Sequence, residues 1–412
     1  MKKIKKTALI IENGLFQSLA HKLSESFEKV IYWRPWVGSF AHPNDLFIGT
    51  GYDNIERIEN YEEYFDADNV VWVFPDIYYA SLQEWLRGQG KPVFGAGNGE
   101  EIELLRGECK ELMKDVGLPV QPWETIKGMK ALRGFIQKHP GWHVKVSTVR
   151  GLTESFHAID YDLVKPKLDS IEHELGGRAE VQEFICEEGI PDSIESGYDG
   201  YFCNGFPKVA QFGIECKDKC YLAAIIPYQK VPDPVRNVND KLTPTLKRYG
   251  YAGFFSTEVR MKGNKGYCID FTCRSASPAG ECMQELFLNL GDIVEGVANG
   301  KLIEPVIEDR FAAQVILTSS FADENWLPIE IPGKIRPFVK LYHSCKVGDQ
   351  EFIVPGDQEM CELGSVVATG QSMDEAIKKV TDYVSQIKAF GLKAYTDELQ
   401  CAKKDLMKSL NQ

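Results

Sequence analysis

Charged residues interrupt apolar, strand-like segments at several places in this 412-residue chain. The most informative place is a predicted hairpin of residues 253–260 and 267–274, because the glycine-containing segment between them is typical of a turn. The hairpin would bring Glu258 and Asp270 onto neighbouring strands, where two carboxylates repel each other unless a cation lies between them. Such oxygen ligands favour Mg²⁺, and Arg274 follows as a donor for phosphate oxygens. The alternative is ordinary cross-strand polar pairing without a metal.

A lysine between two valines, Lys145, marks a second candidate strand that also carries charge. A small polar turn with Arg150 and Gly151 follows it. An ammonium group and backbone N–H groups in this arrangement can bind phosphate oxygens. Lys217 is a further candidate cation for a phosphate. The alternative for Lys145 is a position on the solvated face of an edge strand.

A mainly apolar strand at residues 181–185 is followed by glutamates, among them Glu188 and Glu195. The backbone groups of such a strand and its linker can bind the edge of an adenine ring, and a carboxylate a few residues later can accept hydrogen bonds from ribose hydroxyls. The alternative is a strand followed by a solvated acidic loop.

The elements that would position these groups follow from the apolar periodicity. Strands alternate with amphipathic helices over the first hundred residues, which predicts a parallel α/β sheet. No G-x-G-x-x-G follows the first strand, so a dinucleotide-dependent dehydrogenase is disfavoured. Further along, the pattern predicts a helix over 100–116, strands over 179–271 and 305–370, and helices at 160–175, near 239–249, at 281–298, at 373–390 and at 395–409.

Composition excludes some classes of partner. Lys and Arg total 47 and Asp and Glu total 60, which gives a net charge of −13 and disfavours a duplex nucleic acid. No apolar run reaches the roughly 18 residues of a membrane span, so no membrane partner is expected. The 11 cysteines include no C-x-x-C pair, which predicts reduced thiols and a cytoplasmic protein.

The order of these charged segments resembles that of the ATP-grasp superfamily, and most closely its glycinamide ribonucleotide synthetase (phosphoribosylamine–glycine ligase) branch. The similarity covers most of the chain from about residue 90 onward as short matching segments. They are Val-Phe-Gly-Ala-Gly at 93–97, Leu-Arg-Gly-Glu-Cys-Lys-Glu-Leu-Met at 105–113, Gly-Leu-Pro-Val at 117–120, Ile-Asp-Phe-Thr-Cys-Arg at 269–274 and Val-Val-Ala-Thr-Gly-Gln-Ser-Met-Asp-Glu-Ala at 366–376.

The resemblance implies a fold that combines α/β and α+β parts. A Rossmann-like pre-ATP-grasp domain would occupy residues 1–97. The ATP-grasp fold would follow, with a small lobe at 98–178 and a nucleotide- and metal-binding lobe at 179–303. An α+β segment would complete the chain at 304–412.

The resemblance also implies roles for individual residues. Those expected to bind ATP are Arg106, Lys145, Arg150, Lys217, Gln182, Glu183, Phe184, Ile185 and, for the ribose, Glu188 or Glu195. The expected ligands of Mg²⁺, with Mn²⁺ as an alternative ion, are Glu258, Asp270 and the weaker Thr272. Arg274, Lys145 and Arg150 would act on the transferred phosphoryl group.

The implied activity is that of an ATP-dependent carboxylate–amine ligase. The γ-phosphoryl group would pass to a small carboxylate, such as an amino acid, and an amine would then displace phosphate to give an amide. A homodimer is one option for the assembly. Two departures leave open an ATP-binding protein without turnover: the glycine-rich lid of the branch is reduced to Gly151 within residues 148–154, and Thr272 replaces an asparagine. In addition, Glu-Asn-Gly-Leu-Phe at 12–16 replaces the branch's phosphate-binding G-G-R-E-H, so the resemblance supports ATP use more than it supports the branch's substrates.

Overall fold

The first apolar segments form a five-stranded parallel sheet, as predicted. The structure is a computed structural model that describes residues 3–35, 48–147, 155–355 and 362–411. The strands of this sheet are β1 (Ile4–Ile11), β2 (Phe27–Trp33), β3 (Glu56–Arg57), β4 (Val70–Val73) and β5 (Val93–Phe94), in the spatial order β3-β2-β1-β4-β5. The helices α1 (Gln17–Leu23) and α2 (Ala80–Gly88) follow β1 and β4. The loops after β1, β2 and β4 therefore meet at one edge of the sheet, next to the central strand.

The helix predicted over residues 100–116 is two helices, α3 (Glu101–Leu104) and α4 (Arg106–Asp115). Leu105 interrupts them with a ψ of 69°, which is outside the helical region. The break makes Arg106 the first residue of α4 and allows α4 to take a direction of its own.

A small antiparallel sheet follows, in the order β6-β9-β7-β8. Its strands are β6 (Trp123–Lys127), β7 (Trp142–Val146), β8 (Ser155–Ala158) and β9 (Glu183–Glu187), and its helices are α5 (Met129–Lys138) and α6 (Tyr161–Leu175). Met129, Leu132, Ile171 and Phe184 form part of its separate apolar core. Because β9 belongs to this sheet, the expected boundary at residue 178 would cut the small lobe.

The large lobe is an antiparallel sheet of eight strands in the order β14-β13-β10-β11-β12-β15-β20-β17. The strands are β10 (Ile194–Cys203), β11 (Val209–Cys216), β12 (Cys220–Pro227), β13 (Ala252–Lys262), β14 (Lys265–Thr272), β15 (Phe311–Thr318), β17 (Val339–Leu341) and β20 (Glu362–Gly370). Three of them lie after residue 304, so the expected boundary at 303 crosses a continuous sheet.

Helices cover the large sheet and complete the chain. Apolar residues of α7 (Asp233–Arg248) pack in the same core as β13 and β14. Those of α8 (Gly280–Leu286) and α9 (Leu290–Ala298) pack in the core that includes β1 and β4, so the helix predicted at 281–298 is two helices. The remaining elements are α10 (Met373–Val384), α11 (Leu399–Leu410), and a four-stranded sheet of β16 (Leu327–Glu330), β18 (Ser344–Val347), β19 (Gln350–Ile353) and β21 (Lys388–Ala389).

None of the helices in the described part of the chain combines the length and the hydropathy of a membrane-spanning segment.

Candidate functional site

The predicted hairpin of β13 and β14 brings the two carboxylates together. Glu258 lies directly opposite Asp270, and the register then shifts so that Val259 faces Cys268. The shift leaves Ile269 as an extra residue on β14, which is a β-bulge. Directly opposite residues point to the same face of a sheet, so Glu258 and Asp270 share one face.

The bulge also positions Lys145, which belongs to the other lobe. Its ammonium group donates a hydrogen bond to the carbonyl oxygen of Ile269. The Nζ atom lies 3.8 Å from an Asp270 carboxylate oxygen and 3.9 Å from one of Glu187. Burial opposes the charge of Lys145, but these two carboxylates outweigh it and raise the pKa of the lysine. Lys145 therefore lies between the lobes rather than on a solvated strand face.

Helix α4 supplies a second pair of cations to the same cluster. Arg106 Nη1 donates to the two carboxylate oxygens of Asp270 at 3.1 and 3.2 Å. Lys110, one helical turn later, lies 3.0 Å from Glu187, which also accepts a hydrogen bond from Gln121. Burial opposes the ionisation of Glu187, but Lys145 and Lys110 outweigh it and hold its pKa below the usual value. Helix α4 thus ties the small sheet to the large one.

Arg274 is oriented by a glutamate of α3. Its Nε donates to Glu103 at 3.0 Å, and the backbone N–H of Cys273 donates to the other carboxylate oxygen. Glu103 is 1% exposed, whereas the Arg274 side chain is 19% exposed. The guanidinium is therefore held at the end of β14, four residues beyond Asp270.

The face that carries Glu258 and Asp270 is acidic. Glu195 lies on the adjacent strand β10, opposite Arg260 of β13, and the two form an ion pair. Burial, followed by the charges of Asp270 and Glu195, raises the pKa of Glu258 to about 8. Burial and the neighbouring Glu258 and Glu195 also raise the pKa of Glu215 on β11. An added cation would stabilise the ionised carboxylates at this end of the sheet.

The residues expected to bind adenine lie in or beside a central strand. β9 pairs with β6 along its whole length and with β7 from Phe184 to Glu187, and Glu183 accepts from the N–H of Ser147. The backbone groups of Glu183 and Ile185 are therefore engaged within the sheet and are not left for a purine. Phe184 points into the small-lobe core, and Gln182 donates to backbone carbonyls at the end of the strand.

The other predicted residues are distributed unevenly. Glu188 is exposed at the start of the linker after β9, and Lys217 is exposed in the turn between β11 and β12, away from the ion pairs of the cluster. Thr272 lies opposite Ser256, two residues along β14 from Asp270 and on the same face. Arg150 lies outside the described residues. The structure thus brings together Arg106, Lys145, Glu258, Asp270 and Arg274.

The side chains of the cluster between α4, β7 and β14 pack closely. Arg106, Lys110, Lys145, Glu187 and Asp270 line a cavity of about 20 Å³. That volume is close to the space of one water molecule. Since Asp270 already pairs with Arg106 and Lys145, phosphate oxygens would compete with it for these cations.

The sequence indicates Glu187 only as one of the glutamates after the strand at 181–185, and it indicates no role for Lys110 or Glu103. Lys110 and Glu187 form a buried ion pair, with 3% of each residue exposed. The spacing of Arg106 and Lys110 by one helical turn was the available signal, because residues four apart share a helix face. Glu103 gave no comparable signal, since its partners lie about 170 residues further along the chain.

No protein-family model matches this sequence, and no curated protein sequence matches it. Solved structures do match. Phosphoribosylamine–glycine ligase from Thermotoga maritima superimposes with a TM-score of 0.69 at 16% identity, over 94% of this chain and 98% of that one. The biotin carboxylase domain dimer of Hydrogenobacter thermophilus 2-oxoglutarate carboxylase, described in complex with MgADP, gives a TM-score of 0.67 at 10% identity, over 99% and 96%.

Biotin carboxylase from Campylobacter jejuni is also similar, with a TM-score of 0.65 at 13% identity, over 96% of this chain and 94% of that one. At such identities the likeness is one of fold. It extends over nearly the whole of each chain, and it agrees with the small lobe, the large lobe and the preceding parallel sheet described above. The chain therefore has the ATP-grasp fold that the order of its charged segments predicted.

Proposed function

We propose that this protein is an ATP-dependent carboxylate–amine ligase that works through an acyl phosphate. The observation that carries the proposal is the convergence of Lys145 from the small lobe with Glu258 and Asp270 from the large lobe. A triphosphate with a divalent cation needs cations and carboxylates within a few ångströms of each other, and this position between the lobes offers both.

The adenine ring is assigned to the linker after β9. The backbone of β9 itself is paired on both sides, whereas residues 188–193 lie between two strands. Glu188 opens this linker and Glu195 follows it on β10, so both remain candidates for the ribose hydroxyls. Glu195 shares its sheet face with Glu258, which favours it over the exposed Glu188.

Glu258 and Asp270 would hold Mg²⁺, or Mn²⁺, with Thr272 as a weaker third ligand. Their carboxylate oxygens are the ligands that Mg²⁺ prefers, and the raised pKa of Glu258 supports a place for an added cation beside that residue. The described residues contain no group of three or more His, Cys, Asp or Glu side chains arranged to hold a metal. The remaining ligands would come from ATP and water, which is usual for Mg²⁺. The ion would neutralise charge on the triphosphate.

The chain's own residues would then position the phosphoryl group. Asp270 would bind the metal instead of Arg106 and Lys145, and both cations could then bind phosphate oxygens. Arg274, held by Glu103, would bind the oxygens of the group in transfer. A substrate carboxylate oxygen attacks the γ-phosphorus as the bond to the β–γ bridging oxygen breaks, leaving ADP. The amine then attacks the acyl carbon, phosphate leaves with the bonding electron pair, and the amine nitrogen loses a proton to solvent.

The carboxylate is proposed to be a small amino acid or a similar acid, and a homodimer remains one option for the assembly. The similar biotin carboxylase domain is described as a dimer, and the similar phosphoribosylamine–glycine ligase joins an amine to an amino acid, as its name states.

Release of ADP tests the proposal. The protein is incubated with Mg²⁺ and ATP and with mixtures of amino acids and amines, and Asp270→Asn is compared with the wild type. We expect a mixture that raises ADP release in the wild type and a loss of roughly 100-fold or more in Asp270→Asn. Asp218→Asn, in the exposed turn after β11, is the matched control and should keep full activity.

A second candidate function is ATP binding without turnover. The observation that favours it is the pairing of Asp270, which is already held by Arg106 and Lys145. This candidate gains if ATP with Mg²⁺ binds, as measured by calorimetry, while no mixture raises ADP release above the level without substrate.

A further inference from the structure

A buried glutamate follows β1 and folds back onto the next turn. One carboxylate oxygen of Glu12 accepts hydrogen bonds from the consecutive backbone N–H groups of Gly14 and Leu15, the second at 2.9 Å. The other oxygen accepts from the hydroxyl of Tyr32 on β2. Glu12 has no exposed surface. Its carboxylate therefore fills the pair of N–H donors at the end of the central strand.

A second glutamate does the same after β4. Glu100 accepts a hydrogen bond from the N–H of Tyr78 at 2.8 Å, and the N–H groups of Tyr79 and Ala80 also donate to it. Ala80 is the first residue of the nine-residue helix α2. The carboxylate of Glu100 therefore fills the N–H donors at the start of this helix.

These two positions are connected and lie beside the proposed phosphoryl-transfer site. Asn13 donates to Asp76 at 3.0 Å and accepts from the hydroxyl of Tyr79 at 3.1 Å. We call Glu12, Asn13, Asp76, Tyr79 and Glu100 the sheet-edge cluster. The carbonyl of Pro75, just before Asp76, accepts from the N–H of Ser275 at 2.7 Å. Ser275 directly follows Arg274, so a substrate bound at Arg274 would extend toward this cluster.

Backbone N–H groups at the carboxyl edge of a parallel sheet and at a helix start are the usual binding groups for phosphate in α/β proteins. Here both sets already bind carboxylates of the protein. The buried titratable groups around them are the carboxyl groups of Glu12, Asp76 and Glu100 and the guanidinium of Arg34. Burial raises the pKa of Glu12, and it raises that of Glu100 to about 7. A phosphate would therefore meet N–H donors that are already filled, in a place where burial disfavours negative charge.

We propose that the substrate bound at the sheet-edge cluster carries no phosphate group, and that Glu12 is the residue that determines this specificity. The inference rests on the proposed function, since it concerns the substrate of that reaction. The proposed substrate class is an unphosphorylated acceptor, whose hydroxyl, amide or amine groups bind to Asn13, Asp76 and Tyr79.

Binding of inorganic phosphate tests the role of Glu12 directly. The nucleotide site is first saturated with Mg²⁺ and a non-hydrolysable ATP analogue, and phosphate is then titrated by calorimetry. Glu12→Ala empties the donors of Gly14 and Leu15, whereas Glu12→Gln keeps an amide oxygen on them. We expect Glu12→Ala to bind phosphate at least about tenfold more tightly than Glu12→Gln and the wild type. Equal binding by the three proteins would overturn the inference.

A second experiment needs only the wild type. ADP release is measured with amines offered in matched pairs, such as serine and phosphoserine, ethanolamine and phosphoethanolamine, or glucosamine and glucosamine 6-phosphate, each with a mixture of carboxylates. The unphosphorylated member of a pair should be the better substrate, and preference for the phosphorylated member would refute the inference. Failure of the ATP analogue to bind would instead refute the proposed function, and the phosphate titration would still decide the role of Glu12.

Discussion

Buried carboxylates occur in two regions of this molecule, and their partners differ. In the sheet-edge cluster, Glu12 and Glu100 accept hydrogen bonds from backbone N–H groups that the fold holds in place. Between the lobes, Glu258 faces Asp270, and the compensating cations are Arg106 and Lys145, which come from another part of the chain. The first arrangement is complete without a ligand. In the second, cations from another lobe pair with Asp270, while the neighbouring Glu258, Glu195 and Glu215 leave that sheet face acidic.

The difference separates structural charge from functional charge. Burial raises the pKa of the carboxyl groups in both regions, so the difference lies in their hydrogen bonds. A carboxyl group that accepts from fixed N–H donors satisfies buried backbone groups and blocks other anions from the same donors. A pair of opposed carboxylates lowers stability until a cation arrives, and such sites are where function tends to be found. Substitutions in the two regions should therefore have opposite consequences for stability and activity.

The largest effect is expected at Lys145. Lys145→Met removes the cation that would bind the transferred phosphoryl group, so ADP formation should fall by roughly 10²–10³-fold in a coupled assay. Lys110→Met is the matched control, because Lys110 also pairs with Glu187 but has no contact with Asp270 among its ion pairs. Its main effect should be on stability. Equal loss of activity in the two variants would contradict the separate role of Lys145.

Much of the region between the lobes was predictable from the sequence. The alternation of residue types and the glycine-containing turn placed Glu258 opposite Asp270 because the hairpin is local. The β-bulge at Ile269 was not predictable, since the alternation of residue types does not reveal an extra residue on one strand, and the contact of Ile269 with Lys145 joins two lobes. For the same reason the sequence did not reveal the ion pair of Lys110 and Glu187, in which each charge is compensated only after the lobes meet.

The sheet-edge cluster was harder to predict. The sequence at 12–16 differs from the phosphate-binding motif of the similar branch, but this difference alone does not reveal what the residues do. That Glu12 itself occupies the donors depends on the turn at Gly14, whose φ of 112° suits glycine, and on the distant hydroxyl of Tyr32. The pairing of both edges of β9 could not be predicted for a similar reason, because a strand sequence does not show which strands will lie beside it.

The next largest effect is expected at Glu12. Glu12→Ala removes three hydrogen bonds and leaves buried donors without an acceptor, which should lower the free energy of unfolding by about 2–3 kcal/mol in urea denaturation. Binding of ATP with Mg²⁺ should not change. Glu12→Gln provides the control, since its amide can still pair with the same groups and should cost less than about 1 kcal/mol. A loss of ATP affinity in Glu12→Ala would show that the two regions are not independent.

A smaller effect concerns pH and His343, whose ring lies against Gly14. Burial, followed by the charge of Arg34, lowers the pKa of His343 to about 4 from its usual 6.5. The His343 side chain therefore binds a proton below about pH 6.5 in the unfolded chain but only below about pH 4 in the folded chain. The free energy of unfolding decreases as the pH falls through that range. The expected loss from this group is about 1 kcal/mol between pH 7 and 5.5.

His343→Asn tests this source of acid sensitivity. Asparagine tolerates the φ of 43° at this position better than most residues, so the fold should survive. Urea denaturation at pH 7 and 5.5 should show that the variant loses about 1 kcal/mol less stability than the wild type. His21 and His143 also have lowered pKa values and should leave a residual slope. An unchanged slope would mean that His343 accepts its proton in the folded state.

The smallest effect is expected from Glu258→Gln. The sign of its change in the free energy of unfolding distinguishes a carboxylate that needs a cation from one that stabilises the fold. The raised pKa of Glu258 means that the folded state disfavours its charge, so neutralising it without metal should raise the free energy of unfolding, by about 0.5–1 kcal/mol at pH 8.5. Glu195→Gln is the control on the same sheet face. Because Glu195 already forms an ion pair with Arg260, neutralising it should not raise the free energy of unfolding. ATP with Mg²⁺ should stabilise the wild type more than Glu258→Gln, because the variant has one metal ligand fewer. A Glu258→Gln protein that is less stable than the wild type without metal would place Glu258 with Glu12 among the structural carboxylates.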